Sequence, residues 1–219
     1  TARKVYDLCN KKLRQDGMTV RAIIEKSNVK MIGTTDDPAD DLKWHQLLTE
    51  DKSFKTAVCP TFRPDKAVNI DKDGFADYIK KLSAAAEIDI KTVSDVKAAL
   101  EKRLDYFCSL GCCATDHGLD YVVYEPASEE SVNEIFKRAL RGEKISQLEA
   151  DRYKTELMLF LGEKIAEKGI VMQLHYGCKR DNNTPMFNKL GPDTGYDCIN
   201  NYAPSSEMAD FLNALNQSD

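Results

Sequence analysis

Residues 170–183 read IVMQLHYGCKRDNN, and this stretch decides the fold class. The apolar run Ile170–Leu174 predicts a buried strand. His175 and a polar turn that contains Arg180 follow at its carboxyl end. In α/β proteins the ligands bind where parallel strands end, so this pattern favours an α/β chain with an anion site at that edge.

Three further apolar runs have the same form, and amphipathic helical patterns separate them. The predicted strands are Val29–Ile32, Thr56–Cys59, Cys112–Ala114 and Ile170–Leu174. Apolar residues recur at helical spacing within 94–107 and 131–140. Strands that alternate with helices indicate parallel pairing, and polar residues follow each run at its carboxyl end.

Local signals predict where the helices begin and end. Ser131 with Glu134, and Ser146 with Glu149, fit capping boxes, in which a hydroxyl and a carboxylate satisfy free backbone amides. The long helix that begins near Ser146 runs to Gly169, a residue suited to a left-handed helix end.

Composition excludes several classes of function. The chain has 219 residues, 42% hydrophobic and 31% charged, with a formal charge of −5, as in a globular protein with a sizeable core. Basic and acidic residues are interspersed, which argues against nucleic acid, and no apolar run approaches the roughly 18 residues of a membrane span. Seven scattered cysteines match no usual zinc or disulfide spacing, which favours a reduced, cytoplasmic protein.

Three side chains near strand ends are candidates for chemistry. His175 can ligate a divalent metal, bind a substrate hydroxyl or transfer a proton, although a histidine bonded to a backbone carbonyl remains an alternative. Arg180 and Arg63 each offer a planar fork that matches a carboxylate, although turn cations are commonly just solvated. Asp65, next to Arg63, is interpreted as a helix cap.

Other polar residues have competing structural interpretations. Asp116 and His117 are adjacent, and because neighbouring side chains of an extended segment face opposite ways, we expect only one to face the site. Asp37 before Pro38 fits a helix start. His45, between leucines on a predicted helix, is interpreted as a packing or surface residue. The residues alone therefore predict an α/β chain whose strand ends hold a small anionic polyol.

Four stretches together carry a resemblance to a known family. They are SNVKMIGTTDDPADDL (27–42), SFKTAVCPTFRPDKAVNI (53–70), KRLDYFCSLGCCATDHGLD (102–120) and GIVMQLHYGCKRDNNTPMFNKLGPDTGYDCIN (169–200). In this order and spacing they closely resemble uronate isomerases (glucuronate isomerases) of the amidohydrolase superfamily. The resemblance covers nearly the whole chain from about residue 19.

The resemblance implies a distorted (β/α)8 barrel of the TIM type. Residues 1–219 would be the central part of that one domain, with about strands two to five and helical insertions around 70–110 and 127–168. Family members are about twice as long, and their His-x-His motif and metal-binding aspartate would lie outside this chain. The chain alone is therefore expected to be inactive.

The resemblance also implies a reaction and roles. The family interconverts D-glucuronate with D-fructuronate, and D-galacturonate with D-tagaturonate, in hexuronate catabolism. Asp116 and His175 match catalytic positions and Arg63 and Arg180 substrate-binding positions. The resemblance also implies a divalent metal, with zinc as the first choice, and leaves open whether His175 ligates this metal or contacts only the substrate.

Two alternatives stay open beside this interpretation, a related metal-dependent hydrolase and a sugar-acid binder without catalysis. CKRDNN departs from the commoner family pattern at Lys179 and Asp181, and Asp181 adds negative charge near the expected anion site. The expected ligand is a small hexuronate. Neither nucleic acid nor a membrane is expected as a partner, and homo-oligomerisation is left open.

Overall fold

The computed structural model describes residues 1–202 and 205–217, which form a mixed α/β structure. The helices are α1 (Ala2–Leu13), α2 (Val20–Lys26), α3 (Lys43–Glu50), α4 (Asp65–Val68), α5 (Phe75–Ala86), α6 (Val93–Ser109), α7 (Glu129–Leu140), α8 (Gln147–Glu167), α9 (Thr184–Leu190) and α10 (Ser205–Gln217). The strands are β1 (Met31–Gly33), β2 (Ala57–Cys59), β3 (Ala114–Gly118), β4 (Val171–His175), β5 (Cys178–Lys179) and β6 (Cys198–Ile199). Within the described ranges, no helix has the length and apolar character needed to cross a membrane.

The first four strands are parallel and lie side by side in chain order. β1 pairs with β2, and β3 pairs with β4. Parallel bridges at Asp36–Phe62 and Phe62–Thr115 extend the first pair and join it to the second. The carboxyl ends of all four strands therefore meet at one edge, as the alternation of strands and helices predicts. Strands β5 and β6 form a separate antiparallel pair, which the sequence analysis did not predict.

The helices α5 to α8 form the main hydrophobic core on one side of this sheet. Phe75, Phe136 and Tyr153 meet at its centre, where Phe75 lies edge-on to both neighbours and the other two rings stack at 6.0 Å. The buried Tyr153 hydroxyl donates to the carbonyl of Ala67 at 3.0 Å. This bond satisfies the one polar group that the tyrosine brings into the core.

The other side of the sheet is open at β4. Met172 and Leu174 pack against the helical core, whereas Val171, Gln173 and His175 alternate with them and are exposed. Val171 is 63% exposed although it is a large apolar residue in a strand. An alternating pattern of this kind is typical of a strand with one covered face and one open face.

Several predicted helix signals are confirmed. α8 begins with the capping box of Ser146 and Glu149, and Gly169 follows the helix with a φ of 64°. α6 covers the helical pattern predicted within 94–107 and begins with a capping box of Thr92 and Asp95. In both boxes the side chains satisfy backbone amides that the helix leaves free.

Three local predictions are wrong. The N-cap of α7 is Ser128, whose hydroxyl accepts from the amide of Ser131, so the box predicted at Ser131 and Glu134 does not form. Asp37 does not start a helix; its carboxylate accepts from the Ala39 amide at 2.9 Å in a turn. The third strand occupies Ala114–Gly118 instead of Cys112–Ala114, so Asp116 and His117 lie inside the strand.

Candidate functional site

Three side chains, carried by three neighbouring strands or by the segment after one of them, meet near the carboxyl edge of the sheet. Asp116 lies in the middle of β3, His175 ends β4, and Arg63 lies shortly beyond β2. His175 Nε2 lies 3.0 Å from Asp116 Oδ1, and Arg63 Nη1 donates to Asp116 Oδ2 at 3.3 Å. The aspartate side chain is 8% exposed and the histidine 55%, so the pair combines a sheltered carboxylate with an accessible imidazole.

The strand alternation determines which residue of the Asp116–His117 pair belongs to this cluster. Asp116 faces Arg63 and His175, whereas His117 is fully buried and lies 2.9 Å from the hydroxyl of Thr115. Burial lowers the pKa of His117 from 6.5 to about 4, and Arg63 and His175 act in the same direction. His117 therefore stays neutral and structural at ordinary pH.

Two carboxylates, those of Asp116 and Asp65, hold Arg63 in place. Its Nε donates to Asp65 Oδ2 at 2.7 Å, and the Asp65 carboxylate also accepts from the Gly118 amide at 3.1 Å. Burial opposes the charge of Arg63, yet the hydrogen bond from its guanidinium to Asp65 leaves the pKa of Arg63 above its ordinary value. Asp65 is the first residue of α4 and makes no capping bond, so its interpretation as a helix cap is wrong.

Gly118 gives the arginine the space it needs. A Cβ at this position would overlap the Arg63 guanidinium and lie 2.9 Å from Asp65 Oδ2. The close approach of a side chain to a strand backbone is a common reason for glycine in a strand. Glycine at 118 therefore allows the guanidinium to lie against β3.

Arg180 lies beside this cluster without contacting it directly. It follows β5, and its Nη1 donates to Asp193 at 2.9 Å and to Asp197 at 3.0 Å. Arg180 and Arg63 nevertheless line the same two cavities. The structure thus brings Arg63, Asp116 and His175 into contact and sets Arg180 across a shared space.

The two cavities differ in what else lines them. The first, which we call the outer cavity, has a volume of about 460 Å³ and also contacts Asp36, Lys66 and Asp193. The second, the histidine cavity, has a volume of about 540 Å³ and also contacts Lys72 and His175. Cations and carboxylates alternate around both, which suits a ligand that carries a charge and several hydroxyl groups.

Sequence reasoning missed two residues of this region. Asp193 and Asp197 pair with Arg180 although they lie 13 and 17 positions further along the chain. The only signal in the sequence is a turn-forming segment, GPDTGYD, that contains both aspartates. The packing interpretation of His45 is confirmed, because the ring is buried and lies 2.8 Å from the Thr34 hydroxyl.

The cluster fits part of a metal site. Asp116 Oδ1 is buried and lies 3.0 Å from His175 Nε2 without the geometry of a hydrogen bond, so a carboxylate oxygen and an imidazole nitrogen lie side by side. Imidazole nitrogen and carboxylate oxygen are both common zinc ligands. Residues 1–202 and 205–217, however, contain no group of three or more histidine, cysteine or acidic side chains suited to a metal ion. The residues present therefore do not form a complete site by themselves.

The fold and the cluster define an α/β protein whose parallel sheet gathers charged side chains at its carboxyl edge. Comparison with known proteins makes this assignment specific. The sequence profile of the glucuronate isomerase family matches residues 1–219, so the chain belongs to that family.

Individual relatives agree with the profile. The chain is 48% identical to the uronate isomerase of Endomicrobium trichonymphae, over 98% of this chain and 46% of that protein. It is also 48% identical to the uronate isomerase of Lachnospira eligens, over 100% of this chain and 47% of that protein. The chain thus spans about half the length of the curated relatives it matches.

Solved structures have the same fold. The uronate isomerase of Thermotoga maritima superposes with a TM-score of 0.91 at 33% identity, over 97% of this chain and 47% of that one. The glucuronate isomerase of Caulobacter crescentus gives a TM-score of 0.84 at 21% identity, over 95% of this chain and 42% of that one. The family named by the sequence resemblance is confirmed.

Proposed function

We propose that this chain forms part of the active site of a uronate isomerase, which interconverts D-glucuronate with D-fructuronate and D-galacturonate with D-tagaturonate. The observation that carries the proposal is the cluster of Arg63, Asp116 and His175, with Arg180 across the same cavities. Membership of the glucuronate isomerase family supports the choice of substrate class.

The reaction moves a proton between two carbon atoms of the sugar. A proton leaves C2 of the aldose to give an enediolate, the O2 proton moves to O1, and a proton is then added at C1 to give the ketose, so no atom is gained or lost. Asp116 and His175 are the groups of this chain that we propose to hold or transfer these protons. Their contact at 3.0 Å lets one orient the other while the exposed imidazole reaches the ligand.

The arginines have a binding role in this proposal. Arg63 and Arg180 bind the substrate carboxylate, because a guanidinium forms two parallel hydrogen bonds with a carboxylate. Asp65 and Gly118 orient Arg63, as its 2.7 Å bond to Asp65 supports. Arg180 lies across the histidine cavity from His175, so a carboxylate anchored there leaves C1 and C2 of the sugar free to lie near His175.

We also propose that His175 contributes one ligand to a divalent metal, with zinc as the first choice, whose other ligands lie outside this chain. Such an ion would polarise the reacting carbonyl group through its oxygen atom. The buried Asp116 Oδ1, with the His175 Nε2 nitrogen 3.0 Å away, supports a cation at this position. Removal of the metal by a chelator is expected to abolish turnover by the full-length protein.

The architecture that we propose for the whole domain is a (β/α)8 barrel of the TIM type. Strands β1 to β4 would be about strands two to five, and the helices within 70–110 and 127–168 would be insertions. Four parallel strands in chain order support this arrangement, as does the open face of β4. That face would line the barrel interior once the other strands are present.

Turnover of D-glucuronate by the full-length protein tests the proposed function. We expect ketouronate to form, and we expect Asp116→Asn to lower the rate by roughly 10²–10⁴-fold, the usual contribution of a positioned proton-transfer group. Asp77→Asn is the matched control, because Asp77 is an exposed aspartate on α5 that pairs only with Lys80 among the described residues. A wild-type protein without turnover, or an Asp116→Asn variant at the wild-type rate, would refute the proposal.

A further inference from the structure

The two aspartates that pair with Arg180 differ in their surroundings. Both accept from the same nitrogen, Nη1, at 2.9 Å for Asp193 and 3.0 Å for Asp197. The Asp197 side chain is only 28% exposed, and its other oxygen accepts from the backbone amide of Asp181 at 2.9 Å. The Asp193 side chain is 76% exposed, and this residue lines the outer cavity.

These surroundings give the two ion pairs different strengths. Asp197 binds both the arginine and a backbone amide, so it ties Arg180 to the turn that carries it. Asp193 has no second bond among the described residues, and an exposed pair of this kind contributes little and separates easily. A ligand that enters the outer cavity therefore meets an arginine with one firm and one exchangeable partner.

We propose that Asp193 competes with the substrate carboxylate for Arg180. Asp193 pairs with Arg180 when no ligand is bound and separates from it when a uronate binds, whereas Asp197 is a positioning residue. This inference rests on the proposed function and deepens it. It assigns Asp193 a role in setting the affinity for a carboxylate ligand, because a carboxylate can replace another carboxylate on a guanidinium. A neutral sugar offers no charge that compensates Arg180 for the loss of Asp193.

The backbone around Asp193 keeps the carboxylate in position for this role. Asp193 has a φ of 59°, in the left-handed region, and Gly191, two positions before it, has a φ of 82°. Asparagine and glycine adopt the left-handed region more readily than other residues, so either can replace Asp193 without new backbone strain. Asp193→Asn keeps the shape and removes the charge, and Asp193→Gly removes the whole side chain.

Calorimetric titration of the full-length protein with D-glucuronate tests the inference, with D-glucose as the neutral probe. We expect Asp193→Asn and Asp193→Gly to bind D-glucuronate about threefold more tightly than the wild type, the size expected when one exposed competing charge is removed. Binding of D-glucose should not change. Asp197→Asn should weaken the binding of D-glucuronate, because Arg180 loses its firm partner.

The outcomes separate this inference from the proposed function. If the wild type binds D-glucuronate and both Asp193 variants bind it equally or more weakly, the role of Asp193 is refuted and the proposed function stands. Equal gains for D-glucose and D-glucuronate would also refute it, because the gain would then not come from competition between two carboxylates for Arg180. If the wild type binds no D-glucuronate, the proposed function fails and this inference fails with it.

Discussion

The helical core and the strand-end cluster use their side chains in opposite ways. In the core formed by α5 to α8, Leu104, Phe136 and Tyr153 are fully buried, and they contact residues of the same chain. At the strand ends, Arg63 forms ion pairs with Asp65 and with the sheltered Asp116, beside two cavities. Buried apolar surface stabilises the fold, whereas the attraction within a sheltered ion pair is largely offset by the cost of removing both charges from water. Substitutions in the two regions should therefore separate the free energy of unfolding from ligand binding.

The largest expected effect on stability is in the core. Phe136→Ala should lower the free energy of unfolding by about 3–5 kcal/mol, because it leaves a cavity between Phe75 and Tyr153. Leu190→Ala, at an exposed position of α9, is the control and should change it by about 0.5 kcal/mol or less. Urea denaturation of the full-length protein measures both. Equal effects of the two substitutions would contradict the contrast between the regions.

The next largest expected effect is on the pH dependence of stability, and it arises at His117. The folded chain binds a proton at His117 only near pH 4, whereas the unfolded chain binds it near pH 6.5. Because the unfolded state takes up the proton first, stability falls as the pH is lowered from 6.5 to 4, and this residue contributes about 3 kcal/mol to the fall.

The variant His117→Gln tests that contribution. It should reduce the loss of stability between pH 6.5 and 4 while it leaves the carboxylates that titrate in the same range unchanged. Denaturation at several pH values, for the wild type and the variant, gives the difference directly. The same pH dependence in both proteins would show that His117 is not held neutral by burial.

A third prediction concerns function without a large change in stability. Gly118→Ala places a methyl group where the Arg63 guanidinium lies, so the arginine must move away from Asp65. We expect kcat/KM for D-glucuronate to fall by about a hundredfold, since a displacement of about 1 Å has costs of that order. The free energy of unfolding should change by less than about 1 kcal/mol, because the end of a flexible side chain can shift. An unchanged kcat/KM would mean that the orientation of Arg63 is unimportant.

The helical core and the strand-end cluster also differ in how much of each the sequence alone predicts. The helices α6 and α8 and the strand β4 follow from local patterns, because the spacing of apolar residues and the caps determine them. Arg63, Asp116 and His175 are found because each lies at or near a predicted strand end. Their mutual distances depend on strand register, which local patterns do not contain.

The errors at Asp37 and Asp65 share a physical cause. Asp37 and Asp65 each look like helix caps, yet their carboxylates bind partners that are distant along the chain, Tyr78 at 3.0 Å and Gly118 at 3.1 Å. The pairs of Arg180 with Asp193 and Asp197 are missed for the same reason. A polar side chain next to a turn can satisfy itself locally or across the fold, and only the packed structure decides between them.

A crystal structure of the full-length protein with bound D-glucuronate tests the central claim most directly. The account predicts that the sugar acid lies at the carboxyl edge of β2, β3 and β4, with its carboxylate within about 3 Å of a guanidinium nitrogen of Arg63 or Arg180. The other end of the sugar should lie beside Asp116 and His175. A sugar acid bound elsewhere on the protein, with these four side chains free of it, would contradict the account.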